Sequence, residues 1–281
     1  MTSATKRGES TRGQVAGKLA GVDAIEIKVT IPDMQIESAL HRYNLTIDND
    51  EERFIYFFDT PNLDLCKAGM FARARRIVGE EDDSTVKFRP VVPNEVPVSW
   101  RKFAGFKLEA DASEAGMVKS ASLTMPVEKG LINQVVAGKK SIAKLFTQEQ
   151  EAFLASIGKQ HVDYDSLSVL GPLHAHRWKF EDPACPWRMT AELWKRQDGA
   201  RLMEVSIKTP VIQAAVAIAG FMAFLAEVGA EQDLNQQTKT RWALHHHAEQ
   251  LRTNETQAEQ LRKNETRAEP LRKSKPVGNG E

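Results

Sequence analysis

The sequence predicts an α+β protein built on a sheet that closes into a barrel, charged inside, with helices packed outside. Three observations point there. Segments that alternate with period two, as strands do, carry almost only Glu, Asp, Lys and Arg on their polar positions. Solvated faces normally mix in Thr, Gln and Ser. The apolar positions of the same segments need cover, and four helical patterns can supply it. Pattern alone leaves open a sheet with one buried and one wet face, but closure also removes exposed strand edges. A charged interior is tolerable only where opposite signs adjoin and water or an ionic ligand fills the space.

In chain order, Ile25, Ile27 and Val29 interleave with Glu26, Lys28 and Thr30. Ala72 and Ala74 interleave with Arg73 and Arg75, and Val86 and Phe88 with Thr85, Lys87 and Arg89. Phe106, Leu108 and Ala110 alternate with Lys107, Glu109 and Asp111, and Met203, Val205 and Ile207 with Glu204, Ser206 and Lys208. Helical periodicity falls at Asp33 to Arg42, Val127 to Ala137, Thr147 to Ile157 and Pro210 to Val228. Ala214 to Ala226 is the most apolar stretch and too short to span a bilayer, so it reads as a buried helix.

Lys plus Arg and Asp plus Glu both number 38, so the chain has no global attraction to nucleic acid or anionic membrane. Any polyanion site must come from local sorting of charge. Cys66 and Cys185 are too few for a disulfide framework, which favours a reduced, intracellular, cytoplasmic setting. Residues 1–21 are basic, rich in Ser, Thr and Gly, and lack the apolar block of a secretory signal; a disordered tail is expected, with organelle targeting as the alternative. Residues 248–281 carry a ten-residue repeat, Ala248-Glu-Gln-Leu-Arg and Ala258-Glu-Gln-Leu-Arg, with a decayed third copy at Ala268. One large apolar residue per copy cannot bury a core, so a charged extension, partly helical or disordered, is expected. His245, His246 and His247 precede it and are expected at the surface, since three in a row on a helix cannot ligate one ion. This leaves 22–247 as the domain.

Within it, Ala24-Ile-Glu26-Ile-Lys28, then Tyr56-Phe-Phe-Asp59-Thr60-Pro61 followed by Gly69-Met-Phe-Ala-Arg73-Ala-Arg75, then Thr85-Val-Lys87, Met203-Glu204-Val-Ser206-Ile-Lys208 and Thr238-Lys239-Thr-Arg241 stand in one order. From Ala24 to Leu244 the chain resembles the CYTH superfamily, which includes thiamine triphosphatases, inorganic triphosphatases and class IV adenylyl cyclases. The Asp-Thr turn with Arg-x-Arg at its distance is the most specific segment. The resemblance implies a closed eight-stranded antiparallel barrel, a tunnel that holds a small-molecule triphosphate or polyphosphate, with no membrane or nucleic-acid partner. The implied activity is metal-dependent triphosphate hydrolysis. The alternatives are a catalytically impaired protein that binds polyphosphate or nucleotide, and ATP cyclisation.

The chemistry fits such residues. Arg grips phosphate oxygens bidentately and Lys as a point charge, so Lys28, Arg73, Arg75, Lys87 and Arg89, with Arg177, Lys179 and Lys239, are candidates to bind phosphate. Glu26, Glu109, Asp111 and Glu204 share the polar parity and are candidates to hold Mg2+ or Mn2+ through oxygen, with Glu192 a weaker one. Glu26, Lys28 and Glu204 are the candidate catalytic set. Two positions depart from the family pattern. Ala24 stands for the first acid of the opening motif and Ser206 for the second acid of the late strand, so the cationic set is the more complete.

Overall fold

Nine strands form one ring: β1 (Ala24–Ile31), β2 (Glu51–Asp59), β3 (Met70–Ile77), β4 (Asp83–Phe88), β5 (Phe106–Ser113), β6 (Gly116–Pro126), β7 (Ser168–Asp182), β8 (Cys185–Lys195) and β9 (Arg201–Pro210). The computed structural model describes residues 17–113, 116–159, 161–229 and 238–273. Most of the expected N-terminal tail (1–16) and the last residues of the C-terminal one (274–281) lie outside them. The closed order is β1-β5-β6-β4-β3-β2-β7-β8-β9. This corrects the expected count of eight and the expected all-antiparallel pairing. An odd ring cannot alternate direction all the way round, so at least one neighbouring pair must run parallel; here β1 and β5 do.

The alternation read from sequence sets the two faces. Ile25, Ile27, Ala72, Ala74, Val86, Leu108, Ala110, Val205 and Ile207 are buried on the outside of the wall, beneath helices. The helices are α1 (Asp33–Arg42), α2 (Asp64–Lys67), α3 (Leu131–Val136), α4 (Gln148–Gly158), α5 (Ala214–Glu227) and α6 (Lys239–Lys273). Of these, α1, α3, α4 and α5 cover this face, while α6 packs on the inward-facing Ile55, Phe57 and Trp194. The Ala-rich α5 buries Ala214, Ala217, Phe221, Phe224 and Leu225 against the β1–β9–β8 part of the wall. α4 begins at a capping box of Thr147 and Gln150. The buried Gln150 amide also donates to the carbonyls of Ser84 and Leu123, at 3.1 Å each, and so ties the helix to β4 and β6. Phe153 then buries fully, edge-on to Trp100 and Phe106. Residues 131–158 therefore cover the outer wall.

The turn after β2 is held by one carboxylate. Asp59 is buried and accepts backbone N–H groups from Thr60, Leu65 and Cys66 at 2.8–2.9 Å. Gly69 then starts β3 at φ +74, where a Cβ would lie 2.6 Å from the Arg89 carbonyl oxygen. That close approach sets β3 beside β4 and delivers Arg73 and Arg75 to the interior. α6 runs unbroken through residue 248. Its early Ala243, Leu244 and Ala248 are buried with Ile55, Phe57, Leu173 and Trp194. Both cysteines are free and buried. No helix among the described residues is long and apolar enough to cross a membrane.

Replacing Phe153 by Ala leaves a cavity where the ring met Trp100 and Phe106. We expect it to cost roughly 3–5 kcal/mol in chemical denaturation, while Glu149→Ala, on the solvent side of the same helix, changes stability little.

Candidate functional site

The inward parity of the ring meets in a cavity of about 790 Å³, within the size of small-molecule sites, roughly 300–1,000 Å³. Glu26, Lys28, Arg73, Arg75, Lys87, Arg89, Glu109, Asp111, Glu204 and Lys239, ten of the residues expected at the site, all line it. Arg177 and Lys179 do not. Arg177 turns within the wall to Glu51 and Glu192, at 3.4 and 3.5 Å. Lys179 is exposed, since β7 has run past the cavity by that position, level with Thr190.

Strand register sets acids side by side. Glu26 lies opposite Asp111 across β1–β5, and Glu192 opposite Glu204 across β8–β9. Like charges so placed repel, and each pair is resolved by a lysine. Lys28 Nζ is 2.9 Å from Glu26 and 3.0 Å from Asp111. Lys239, from the first turn of α6, donates to Glu192 and lies 2.8 Å from Glu204. Burial works against the Lys28 ammonium, but Glu204, Glu26 and Asp111 together hold its pKa well above the lysine value. Lys239 is likewise raised, Glu192 and Glu204 outweighing its burial. Burial also opposes charge on Asp111, yet Lys28, Lys87 and Arg89 bring its pKa well below the carboxylate range. Glu192 is lowered in the same way by Lys239, Arg53 and Arg177.

Lys208 is paired with Glu109, and Arg75 makes a two-point contact with Asp83, at 2.9 and 2.5 Å. Arg73 differs. No carboxylate among the described residues lies within ion-pair distance of it. Its Nε is buried without a hydrogen-bond partner, and Nη2 reaches Thr85 Oγ1 at 3.5 Å. Burial, then the charge of Arg75, pulls its pKa down to about 9, so at neutral pH it is still a cation in want of an anion. Lys87 beside it is also lowered, by burial and by Lys28, Arg89 and Arg73, despite Asp111. Lys107 and Arg241 line the same cavity.

The expected metal ligands fit a divalent ion poorly. Among the described residues no three Asp, Glu, His or Cys side chains are grouped so as to hold one. Glu26 receives a hydrogen bond from Ser206, 3.2 Å, as well as the Lys28 ion pair. Sequence reasoning missed Arg53 and Glu51, paired beside Glu192, and Asp83; Glu51 and Arg53 share one parity at the head of β2, the signal that was available. Of the three histidines, His245 is exposed as expected, where it also borders the cavity, whereas His247 is buried, because α6 packs onto the barrel at this point.

No family model matches the chain, and no curated protein matches it in sequence. Among solved structures it is similar to a candidate adenylate cyclase from Bacillus halodurans, at 13% identity and TM-score 0.55, covering 78% of this chain and 96% of that one. It is also similar to a candidate adenylyl cyclase from Hippeastrum, described as having a dominant triphosphatase activity, at 15% identity and TM-score 0.55, covering 78% and 93%. At these identities the likeness is one of fold alone, a closed barrel with helices packed outside it.

Asp111 and Glu192 have lowered pKa values in the folded state, so their ion pairs stabilise the fold fully above the unfolded carboxylate value, roughly 4. That stability is lost as pH falls from there through the folded values. Urea midpoints measured from pH 6 to pH 2 are expected to drop, and to drop less in Asp111→Asn, which has no carboxyl to titrate at that position.

Proposed function

We propose that this chain is a CYTH-superfamily protein whose tunnel binds the triphosphate group of an inorganic or organic small molecule. The observation that carries the reading is Arg73, a half-buried guanidinium whose buried Nε has no hydrogen-bond partner, in a cavity that also presents Lys87, Arg89, Lys107 and Arg241. No carboxylate among the described residues lies within ion-pair distance of it, Asp83 and Glu192 acting on it only from farther off. A buried charge without a partner is costly, and a polyanion supplies what the wall lacks. Several cations on different strands suit a chain of phosphates better than a lone carboxylate, because each phosphoryl group can meet its own donors. Hydrolysis of the bound triphosphate is the second reading, favoured by the activity described for the Hippeastrum neighbour.

Tripolyphosphate is expected to raise the melting temperature, and to go on raising it with the logarithm of its concentration above the dissociation constant. In Arg73→Met that rise should be lost. The ligand-free variant should be as stable as the natural protein, or more stable by roughly 0.5–2 kcal/mol, because an uncompensated charge has left the interior. Loss of ligand response together with loss of ligand-free stability would instead make Arg73 a structural residue. Phosphate and cyclic-nucleotide release from tripolyphosphate, thiamine triphosphate and ATP then decides between binding, hydrolysis and cyclisation.

A further inference from the structure

We infer that the two lysines seated between facing acids, Lys28 between Glu26 and Asp111 and Lys239 between Glu192 and Glu204, replace divalent metal in this tunnel, so that it takes up polyphosphate without a metal ion. The inference rests on the triphosphate-binding reading above and specifies its chemistry.

Three of the four acids expected to hold a metal, Glu26, Asp111 and Glu204, face the single ammonium of Lys28. The fourth, Glu109, is turned to Lys208. A divalent ion would need those same oxygens. It would have to sit against a half-buried ammonium that has no other carboxylate to move to, since Asp83 is held by Arg75, and Glu192 by Lys239 and Arg177. Ser206 points the same way independently. It offers a hydroxyl donor to Glu26 from a position where a carboxylate would have added a metal ligand. Ala24 adds no oxygen, although register sets it beside Glu109. The acids here act as holders for lysines, which occupy the carboxylate oxygens that a metal would otherwise take, and phosphate oxygens are left to the cations around Arg73 and Lys87. Lys239 is held on its other side by the Trp194 ring, 5.1 Å from its centroid.

The test is Mn2+ titration of the ligand-free protein, followed by the EPR signal of the free ion, alongside calorimetric titration of tripolyphosphate in EDTA and in magnesium. The natural protein is expected to leave the Mn2+ signal undiminished. It should bind tripolyphosphate in EDTA within about threefold of its affinity in magnesium, or more tightly, where a metal-bridged site would lose about tenfold or more on chelation. Lys28→Gln, with its fold checked by circular dichroism, should gain Mn2+ binding, as should the double variant Ala24→Glu, Ser206→Glu. Stoichiometric uptake of Mn2+ by the natural protein, or tripolyphosphate binding that needs magnesium, overturns the inference and leaves the triphosphate reading standing. Failure of tripolyphosphate to bind under both conditions overturns that reading instead, and the Mn2+ titration still decides this one.

Discussion

Everything in this barrel depends on how it neutralises acids that its own register forces together. Glu26 meets Asp111 and Glu192 meets Glu204 because β1 lies beside β5 and β8 beside β9. No local rearrangement separates them without breaking the ladder, and a one-residue slip would turn every charged side chain outward and every apolar one inward. A lysine in each gap is therefore a condition of closure as well as a feature of the site. The outer apolar wall and its helices supply the stabilisation against which this ionic interior is held, since buried ion pairs by themselves return little net stability.

The distribution of partners then divides the cavity into two chemical regions. Around Lys28 and Lys239 charge is balanced and the side chains hold each other. Around Arg73 and Lys87 positive charge is in excess, with a buried donor left unused. A ligand gains most where the protein has left a donor unpaired, and disturbs least where the pairs are already made.

Much of this was legible in the sequence, for definite reasons. β1, β3, β4, β5 and β9 showed themselves because their inward residues are charged and their outward ones aliphatic. α1 matched its expected span, Asp33 to Arg42, because its apolar periodicity is clean. β6 was silent: its inward Ser120, Ser122 and Thr124 carry no charge, so its alternation has little contrast. β7 hid for the opposite reason, with His174, His176 and Trp178 on the outer side and Ala175 inward. The helical pattern at Val127 to Ala137 shortened to Leu131–Val136 because Gly130, at φ +83, starts the helix late. The cationic lining was readable from parity alone. Which acid each cation would meet was not, because Lys28 with Asp111 and Lys239 with Glu192 depend on register between strands and on where α6 docks.

That docking has a bearing on how the molecule comes into being. Lys239 arrives on the last helix of the described chain, after all nine strands, and its neighbours Ala243, Leu244 and Ala248 complete an apolar cluster that β2, β7 and β8 leave open. A ribosome that has delivered every strand has still not delivered the lysine between Glu192 and Glu204, which then have only Arg53, Arg177 and Lys28 of the wall to meet them. The ring becomes electrically complete only when α6 emerges, so during synthesis the site is finished after the wall that encloses it.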